Sequence, residues 1–253
     1  MRTVSVIIAA YAAEKFIGEA LESILMQNIP EGYKLDVIVG VDGCDETWNA
    51  VCALNYENVR YLKMESNQGT YITFNTMMMY TNADLIVRFD ADDIMLQDYL
   101  ANQIDFLTNN QDVAITRTWS IYTDLNNRPI KAGLENDTFT AENGESKKVA
   151  AGQFMMRKEV WKQLGGFKPW RCSADSEFLV RARFFGFKME EIEHFGYLRR
   201  MHANSLTQRK DTAIKSDIRQ SYAAIIHANR EQGMTKEECR VVGVTGNVVS
   251  VLS

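Results

Sequence analysis

The amino-acid sequence predicts an α/β fold with a mostly parallel central sheet and helices on both of its faces. Short apolar runs alternate with helix-type patterns through residues 1–110. The runs are hydrophobic at successive positions, which is typical of parallel strands covered on both faces. A chain of 253 residues, 46% of them hydrophobic, can bury the core of one large domain, with or without a small appendage.

The first half of the chain contains four strand–helix pairs. Predicted strands cover residues 3–10, 35–41, 58–64 and 83–89. Predicted helices cover residues 14–27, 46–54, 70–80 and 97–108. In the first helix, Phe16, Leu21 and Leu25 belong to one apolar stripe with helical spacing. Because each strand is followed by a helix, consecutive strands are expected to run parallel.

The second half has a less regular pattern. We expect a strand at 112–124, a strand and short helix within 148–167, a helix at 175–185, a strand or loop in "GYLRRMH" and a final helix at 211–231. Residues 125–147 are polar and predict a loop or small hairpin. For the apolar tail "VVGVTGNVVSVLS" we consider pairing with a partner chain and assign no element.

Charge and motif content exclude several classes of protein. The net charge of −5 argues against broad binding to nucleic acid, although local contact with a membrane surface stays open. The N-terminal apolar run reaches Glu14 after about eight residues, which is too short for a signal peptide or a membrane span. No GxGxxG follows the first strand, which disfavours a dinucleotide-dependent oxidoreductase.

The cysteine pattern favours a reducing compartment. The four cysteines are Cys44, Cys52, Cys172 and Cys239. They form neither a CxxC pair nor a zinc-type spacing. We therefore expect a cytoplasmic protein without disulfides.

Acidic residues follow two of the predicted parallel strands. Asp42 follows the second strand, and Asp90, Asp92 and Asp93 follow the fourth. Ligands of such sheets bind at the carboxyl ends of the strands. Residues two apart in extended chain face the same way, so Asp90 and Asp92 are expected to present carboxylates to one Mg²⁺ or Mn²⁺. The alternative is a polar turn that caps the next helix.

Several blocks of the sequence resemble one enzyme family. "SVIIAAYAAEKFIGEALESILMQ", "VGVDGCDET", "ESNQGTYITFNTM" and "ADLIVRFDADD" are similar, in order and spacing, to the nucleotide-sugar half of a family 2 glycosyltransferase of the GT-A type. This resemblance covers residues 3–110. More loosely, "GGFKPWRCSADSEFLVRARFFG" and "LRRMHANSLT" resemble the acceptor-side motifs of the family.

The resemblance implies a Rossmann-like, GT-A type sheet with a smaller acceptor-side region. Residues 1–110 would be the nucleotide-sugar-binding half. Residues 111–210 would be the acceptor-binding and catalytic half of the same domain, and residues 211–253 would form a C-terminal helix and tail.

The resemblance also implies roles for individual residues. Ala10, Tyr11 and Glu14 would hold uracil and ribose, and Asp42 would bind the base. The remaining donor contacts would be Asn67, Gly69, Asp90, Ala91 and Arg199. The metal ligands would be Asp90, Asp92 and His202, although His202 beside two arginines can also be a plain surface group.

Catalysis would depend on Asp175 as the base of an inverting transfer, as the same resemblance implies. Where the family commonly has a Glu-Asp pair, this chain has Ala174-Asp175. Glu177 is the alternative second carboxylate. An Asp that opens a helix is also a favoured cap, so a structural role for Asp175 stays open.

The function that we predict is metal-dependent, inverting transfer of a sugar from a nucleotide sugar, with UDP as the expected nucleotide, to a hydroxyl of a saccharide or other acceptor. One alternative is a sugar-phosphate nucleotidyltransferase, but such enzymes need an N-terminal glycine-rich basic loop, and no glycine precedes Gly18. Another alternative is a non-catalytic nucleotide-sugar-binding module. Ala174, which stands where the family commonly has an acidic residue, is compatible with this alternative.

Overall fold

The structure, a computed structural model, describes residues 1–134, 137–138 and 140–253. The strands in this part of the chain are β1 (Arg2–Ala10), β2 (Tyr33–Val41), β3 (Val59–Met64), β4 (Leu85–Asp90), β5 (Ile94–Met95), β6 (Val113–Thr123), β7 (Gly133–Leu134), β8 (Asp137–Thr138), β9 (Glu145–Ser146), β10 (Phe154–Arg157), β11 (Lys188–Arg200) and β12 (Val248–Leu252). The helices are α1 (Ile17–Leu25), α2 (Asp45–Leu54), α3 (Thr70–Met77), α4 (Tyr99–Asn109), α5 (Lys158–Leu164), α6 (Ala174–Phe185) and α7 (Asp217–Gln232).

One large sheet organises the molecule. Its strand order is β12-β3-β2-β1-β4-β10-β6-β11-β5, with β9 added beside β6. The β3-β2-β1-β4 portion is parallel throughout, as the alternation of strands and helices predicts. The second half of the chain adds β10, which runs antiparallel to both β4 and β6. The sheet is therefore mixed, with a parallel N-terminal half.

The strand register places a crevice beside the end of β1. Ala10 pairs with Val41 of β2, while Ala9 pairs with Asp90 of β4. The chain goes from β1 to β2 on one side and later returns to β4 on the other side. Such a reversal of strand order opens a ligand-binding crevice at the carboxyl ends of the strands. Asp42 and Asp90 are thus brought to the same edge of the sheet.

Helices cover both faces of the sheet, which confirms the predicted fold class. On one face, Leu21 of α1 and Ile104 of α4 pack with buried residues of β1, β2 and β4. On the other face, Phe74 of α3, Leu164 of α5 and Phe178 of α6 form a second core. Burial on two faces explains why the central strands are hydrophobic at successive positions.

The second half differs from the sequence expectation at several boundaries. The strand expected in "GYLRRMH" is the end of β11, which begins at Lys188. The final helix begins at Asp217 rather than at residue 211, because Ser216 is its N-cap and accepts a hydrogen bond from the Arg219 amide. In the predicted loop at 125–147, β7 and β8 form the expected small hairpin, while residues 135, 136 and 139 lie outside the described residues.

The apolar tail pairs with its own chain. β12 runs antiparallel to β3 and extends the sheet at that side, which gives the end of the tail an element where the sequence pattern assigns none. Residues 239–247, here called the strap, cross α3 on the way to β12. Asn75 Nδ2 donates to the Val244 carbonyl at 3.0 Å, and the Gly246 amide donates to Thr76 Oγ1 at 2.8 Å. No helix among the described residues has the length and hydrophobicity to cross a membrane.

Candidate active site

A cavity of about 760 Å³ lies at the carboxyl ends of β1, β2 and β4. Ten of the residues selected from the sequence line it: Tyr11, Asp42, Asn67, Gly69, Asp90, Ala91, Asp92, Asp175, Arg199 and His202. The first and second halves of the chain both contribute to this set. The structure therefore brings the predicted donor, metal and catalytic positions to one cavity.

Two predicted donor contacts lie outside this lining. Ala10 is fully buried in β1, and its carbonyl accepts a hydrogen bond from the Asp42 amide at 2.9 Å. Glu14 is exposed, and its carboxylate accepts a hydrogen bond from Thr47 Oγ1 at 3.4 Å. Contact of these two residues with a donor therefore stays a prediction.

Asp42 is joined to the loop at residues 65–69. Its two carboxylate oxygens accept hydrogen bonds from the backbone amides of Gln68 and Gly69, each at 2.9 Å. The close approach needs glycine at position 43, where φ is +65° and a Cβ would overlap the backbone of Ser66. Asp42 thus holds the 65–69 loop at the sheet edge. Its contact with a nucleotide base stays a prediction.

The carboxylates after β4 have three different environments. Asp90 Oδ1 forms an ion pair with Arg88 Nη2 at 3.0 Å, and Asp92 Oδ2 lies 2.8 Å from His202 Nε2. Asp93 also lines the cavity but is only 3% exposed, and its carboxylate accepts hydrogen bonds from the Arg200 amide and the Gln153 side chain.

Burial and neighbouring charges raise the pKa values of two carboxylates at the end of β4. Burial raises the pKa of Asp90, Arg88 opposes this rise, and the charge of Asp92 adds to it. Burial, followed by the charges of Asp92 and Asp90, raises the pKa of Asp93 well above its usual range. A cation bound beside Asp90 and Asp92 would favour the charged forms of these carboxylates.

The residues at this point fit a divalent cation. Within the described residues no three His, Cys, Asp or Glu side chains are already arranged as a metal site. Asp92 and His202 nevertheless bring a carboxylate oxygen and an imidazole nitrogen together, and Asp90 lines the same cavity. Oxygen and imidazole donors suit Mn²⁺ and Mg²⁺, which commonly complete their coordination with phosphates and water.

Sequence reasoning missed Arg88. Its side chain is only 3% exposed, and besides the ion pair with Asp90 it donates to the Gly152 carbonyl. The guanidinium also lies over the ring of Phe74, 4.8 Å from the ring centre. The sequence could have indicated this role, because Arg88 is a charged residue inside the apolar strand "LIVRF" and a buried charge is costly unless it has a partner.

The two neighbouring arginines of "LRR" have different roles. Arg200 is buried, donates to the Asp92 carbonyl at 2.5 Å and forms an ion pair with Glu19 at 2.6 Å. Arg199 lines the cavity and donates to Tyr122 Oη at 3.0 Å. Arg200 lines the cavity too, but its guanidinium is occupied by Asp92 and Glu19 and connects the end of β11 to α1 and to the turn after β4.

The two candidate catalytic carboxylates of α6 are separated by the fold. Asp175 lines the cavity, and its Oδ1 accepts a hydrogen bond from the Ser176 amide at 2.7 Å. Glu177 is 1% exposed and forms ion pairs of 2.9 Å with Arg181 and with Lys168. The alternative of Glu177 as a second active-site carboxylate is therefore wrong, because both of its oxygens face the core.

Comparison with known proteins supports one family. The model of "Glycosyl transferase family 2" matches residues 5–165, which is more than half of the chain. The chain belongs to glycosyltransferase family 2.

Named relatives are glycosyltransferases. An uncharacterized glycosyltransferase of Methanocaldococcus jannaschii is 25% identical over 76% of this chain and 68% of its own length. The Escherichia coli "UDP-Gal:alpha-D-GlcNAc-diphosphoundecaprenol beta-1,3-galactosyltransferase" is 31% identical over 46% of this chain, and less than half of the E. coli enzyme (42%) is matched. The protein is accordingly a glycosyltransferase enzyme.

Solved structures confirm the GT-A type fold. S. aureus TarS, determined in complex with UDP-GlcNAc, has a TM-score of 0.62 and 17% identity, over 94% of this chain and 74% of TarS. The mannosyltransferase PcManGT from Pyrobaculum calidifontis, in complex with GDP-Man and Mn²⁺, has a TM-score of 0.65 and 17% identity, over 93% of this chain and 71% of that one. At this identity the likeness concerns the fold.

Proposed function

We propose that this glycosyltransferase transfers a sugar from a UDP-linked donor to a hydroxyl of a saccharide or other acceptor, with a divalent metal and with inversion at the anomeric carbon. The observation that carries the proposal is one cavity that joins the strand-end carboxylates Asp90 and Asp92 with Asp175 of α6. Membership of the family favours the transferase over a nucleotidyltransferase and over a non-catalytic binding module.

The donor half of the cavity would hold the nucleotide. The 65–69 loop, which Asp42 fixes, and Tyr11 face the space in which a nucleoside would lie. Tyr11 is 46% exposed at the cavity, as expected for a ring that a base can cover. UDP is favoured because the E. coli galactosyltransferase is named for UDP-Gal and TarS was determined with UDP-GlcNAc, whereas the mannosyltransferase structure holds GDP-Man.

The diphosphate side would depend on metal and arginine. Asp90, Asp92 and His202 would hold Mn²⁺ or Mg²⁺, which supplies Lewis-acid stabilisation of charge on a leaving diphosphate. Arg199 provides a permanent positive charge at the same side of the cavity. The buried Arg88 orients the Asp90 carboxylate through its ion pair.

Asp175 would act as the base. A hydroxyl that attacks the anomeric carbon must lose its proton, and a carboxylate at hydrogen-bond distance accepts it. Asp175 keeps its Oδ2 free of a hydrogen bond to any described residue, while its Oδ1 is oriented by the Ser176 amide. This arrangement leaves one oxygen to receive the proton.

The test is thermal unfolding with nucleotides. We expect UDP with Mn²⁺ to raise the melting temperature more than GDP or CDP does, because a ligand that binds only the folded state stabilises it by mass action. Asp92→Ala should abolish the part of this rise in melting temperature that depends on Mn²⁺. Asp105→Ala, which changes an exposed carboxylate on α4, is the matched control and should behave as wild type.

Two results would reject parts of the proposal. Stabilisation by GDP alone would replace the UDP donor with a guanosine donor. An Asp92→Ala protein that turns over donor normally in the presence of EDTA would remove the metal role.

A further inference from the structure

A second cavity, of about 420 Å³, adjoins the active-site cavity. It lies among β6, α6, β11 and α7, and its volume is within the range of small-ligand sites. Ala151 and Ser176 line both cavities. Ser176 directly follows Asp175, so the second cavity opens beside the proposed base. We call it the arginine cavity.

The lining of the arginine cavity is basic and apolar. Its charged residues are Arg117, Arg183 and Arg230, and no carboxylate of the described residues lines it. The apolar part of the lining is formed by Val149, Leu179, Val180, Phe184 and Met189. Three positive charges without a negative one are notable in a chain whose net charge is −5.

These arginines make few bonds to the rest of the protein among the described residues. Arg117 Nη2 pairs with Glu191 at 3.0 Å, but its buried Nε has no hydrogen-bond partner among the described residues. Arg183 and Arg230 are exposed and form no ion pair with any residue that the structure describes. Buried donors without partners are costly, so an anion that accepted from them would be stabilised.

The arginines also repel one another. Burial lowers the pKa of the Arg117 guanidinium, Glu191 opposes this effect, and the positive charge of Arg183 lowers the pKa further. Arg117 and Arg183 also line the same cavity, so one ligand in that cavity can face both guanidinium groups. Two guanidinium groups facing the same space are the usual arrangement for binding a carboxylate or phosphate.

We propose that the arginine cavity is the acceptor subsite and that the acceptor is a saccharide carrying an acidic group, either a carboxylate or a phosphate. The guanidinium groups of Arg117 and Arg183 bind the acidic group, and the apolar lining contacts the sugar ring. A hydroxyl on the same or a neighbouring ring then reaches Asp175 past Ser176. This inference rests on the proposed function, because it assigns the substrate of the same active site.

The experiment measures binding of three ligands that differ only at C6 of glucose: methyl glucuronide, methyl glucoside 6-phosphate and methyl glucoside. Dissociation constants are measured by NMR titration for wild type, Arg183→Ala and Arg240→Ala, with UDP and the diamagnetic Mg²⁺ present. Arg240 is the matched control, since it lies over the ring of Phe185 and lines neither cavity.

We expect wild type to bind at least one acidic ligand about tenfold or more tightly than methyl glucoside, as charge-assisted hydrogen bonds imply. Arg183→Ala should lose this preference and keep its affinity for methyl glucoside, while Arg240→Ala matches wild type. The acidic ligand that binds more tightly distinguishes a uronic acid from a sugar phosphate.

Equal binding of all three ligands by wild type, or an unchanged preference in Arg183→Ala, would overturn the inference. Thermal stabilisation by UDP and Mn²⁺, measured on the same proteins, separates the two proposals. If the nucleotide stabilises wild type but the acidic ligands show no preference, only the acceptor inference fails. If the acidic ligands depend on Arg183 but no nucleotide stabilises the protein, the arginine cavity stands and the proposed donor function fails.

Discussion

At the scale of single residues, two carboxylates of α6 that are close in sequence lie in different environments. Asp175 and Glu177 both belong to the first turn of the helix. The turn directs Asp175 to the active-site cavity and Glu177 to the interior, where Arg181 also donates to the carbonyls of Leu164, Gly166 and Cys239. Removal of one partner of such a buried pair leaves an uncompensated charge.

Asp175→Asn is expected to reduce sugar transfer about a hundredfold or more and to leave nucleotide affinity nearly unchanged, because the amide keeps the shape but cannot accept the proton. Transfer rate and UDP affinity are measured on the purified variant. Glu177→Gln is the comparison variant, and its main effect should be a loss of stability of about 3–5 kcal/mol. Near wild-type transfer by Asp175→Asn would show that another group is the base.

A second prediction at this scale concerns Gly43. Gly43→Ala should weaken UDP binding and destabilise the protein by about 1–3 kcal/mol or more, because the new Cβ overlaps Ser66 and displaces the 65–69 loop. Gly32→Ala is the matched control: φ is +85° there too, but nothing lies within 4 Å of the added atom. Denaturant unfolding and nucleotide titration of both variants provide the measurement. Equal UDP affinity in the two variants would contradict the role given to the loop.

At the scale of elements, α3 connects the strap to the active site. Its N-terminus follows the 65–69 loop, and Asn75 and Thr76 on the same helix bind the strap. The strap also bonds the loop directly, since the Glu65 amide donates to the Asn247 carbonyl at 3.0 Å. The far C-terminal part of the chain thus helps to hold the loop that Asp42 fixes from the other side.

Two threonines of α3 offer a paired test. Thr76→Val keeps the volume but leaves the Gly246 amide without its acceptor, and should cost about 1–3 kcal/mol of stability. Thr73→Val removes a buried hydroxyl that has no partner among the described residues, and should be neutral or stabilising. Amide hydrogen exchange should report faster exchange at Gly246 and in β12 for Thr76→Val alone. Similar stability of the two variants would show that the strap contact contributes little.

At the scale of the whole molecule, the sequence predicts the parallel half far better than the rest. Residues 1–110 follow one local rule, a buried strand and then a helix, so the pattern predicts every strand and helix there except the two-residue β5, which pairs with the distant β11. The site edge with Asp42 and Asp90 follows from the same rule. β10 has only four residues, and its antiparallel place between β4 and β6 is decided by packing with distant strands. Local pattern carries no information on such pairing.

The active site likewise has residues that the sequence predicts and residues whose positions only the tertiary fold determines. The strand-end carboxylates and His202 could be selected from the sequence, because parallel strands end at one edge and the family blocks mark the positions. The interior place of Glu177 could not, since it depends on Arg181 and Lys168 meeting it in three dimensions. The arginine cavity also combines Arg117, Arg183 and Arg230 from three elements that only the tertiary fold brings together.

The strap has a consequence for synthesis on the ribosome. Glu65 and Asn247, whose side chains also share a hydrogen bond, are separated by 182 residues. At elongation rates of about 5–20 residues per second, roughly 10 to 40 s pass between the synthesis of the two. During that interval β3 is an open sheet edge with apolar residues beside it, which is a template for wrong pairing. Until the strap is made, the nascent chain therefore depends on slow encounter rates, or on a chaperone, to keep that edge unpaired.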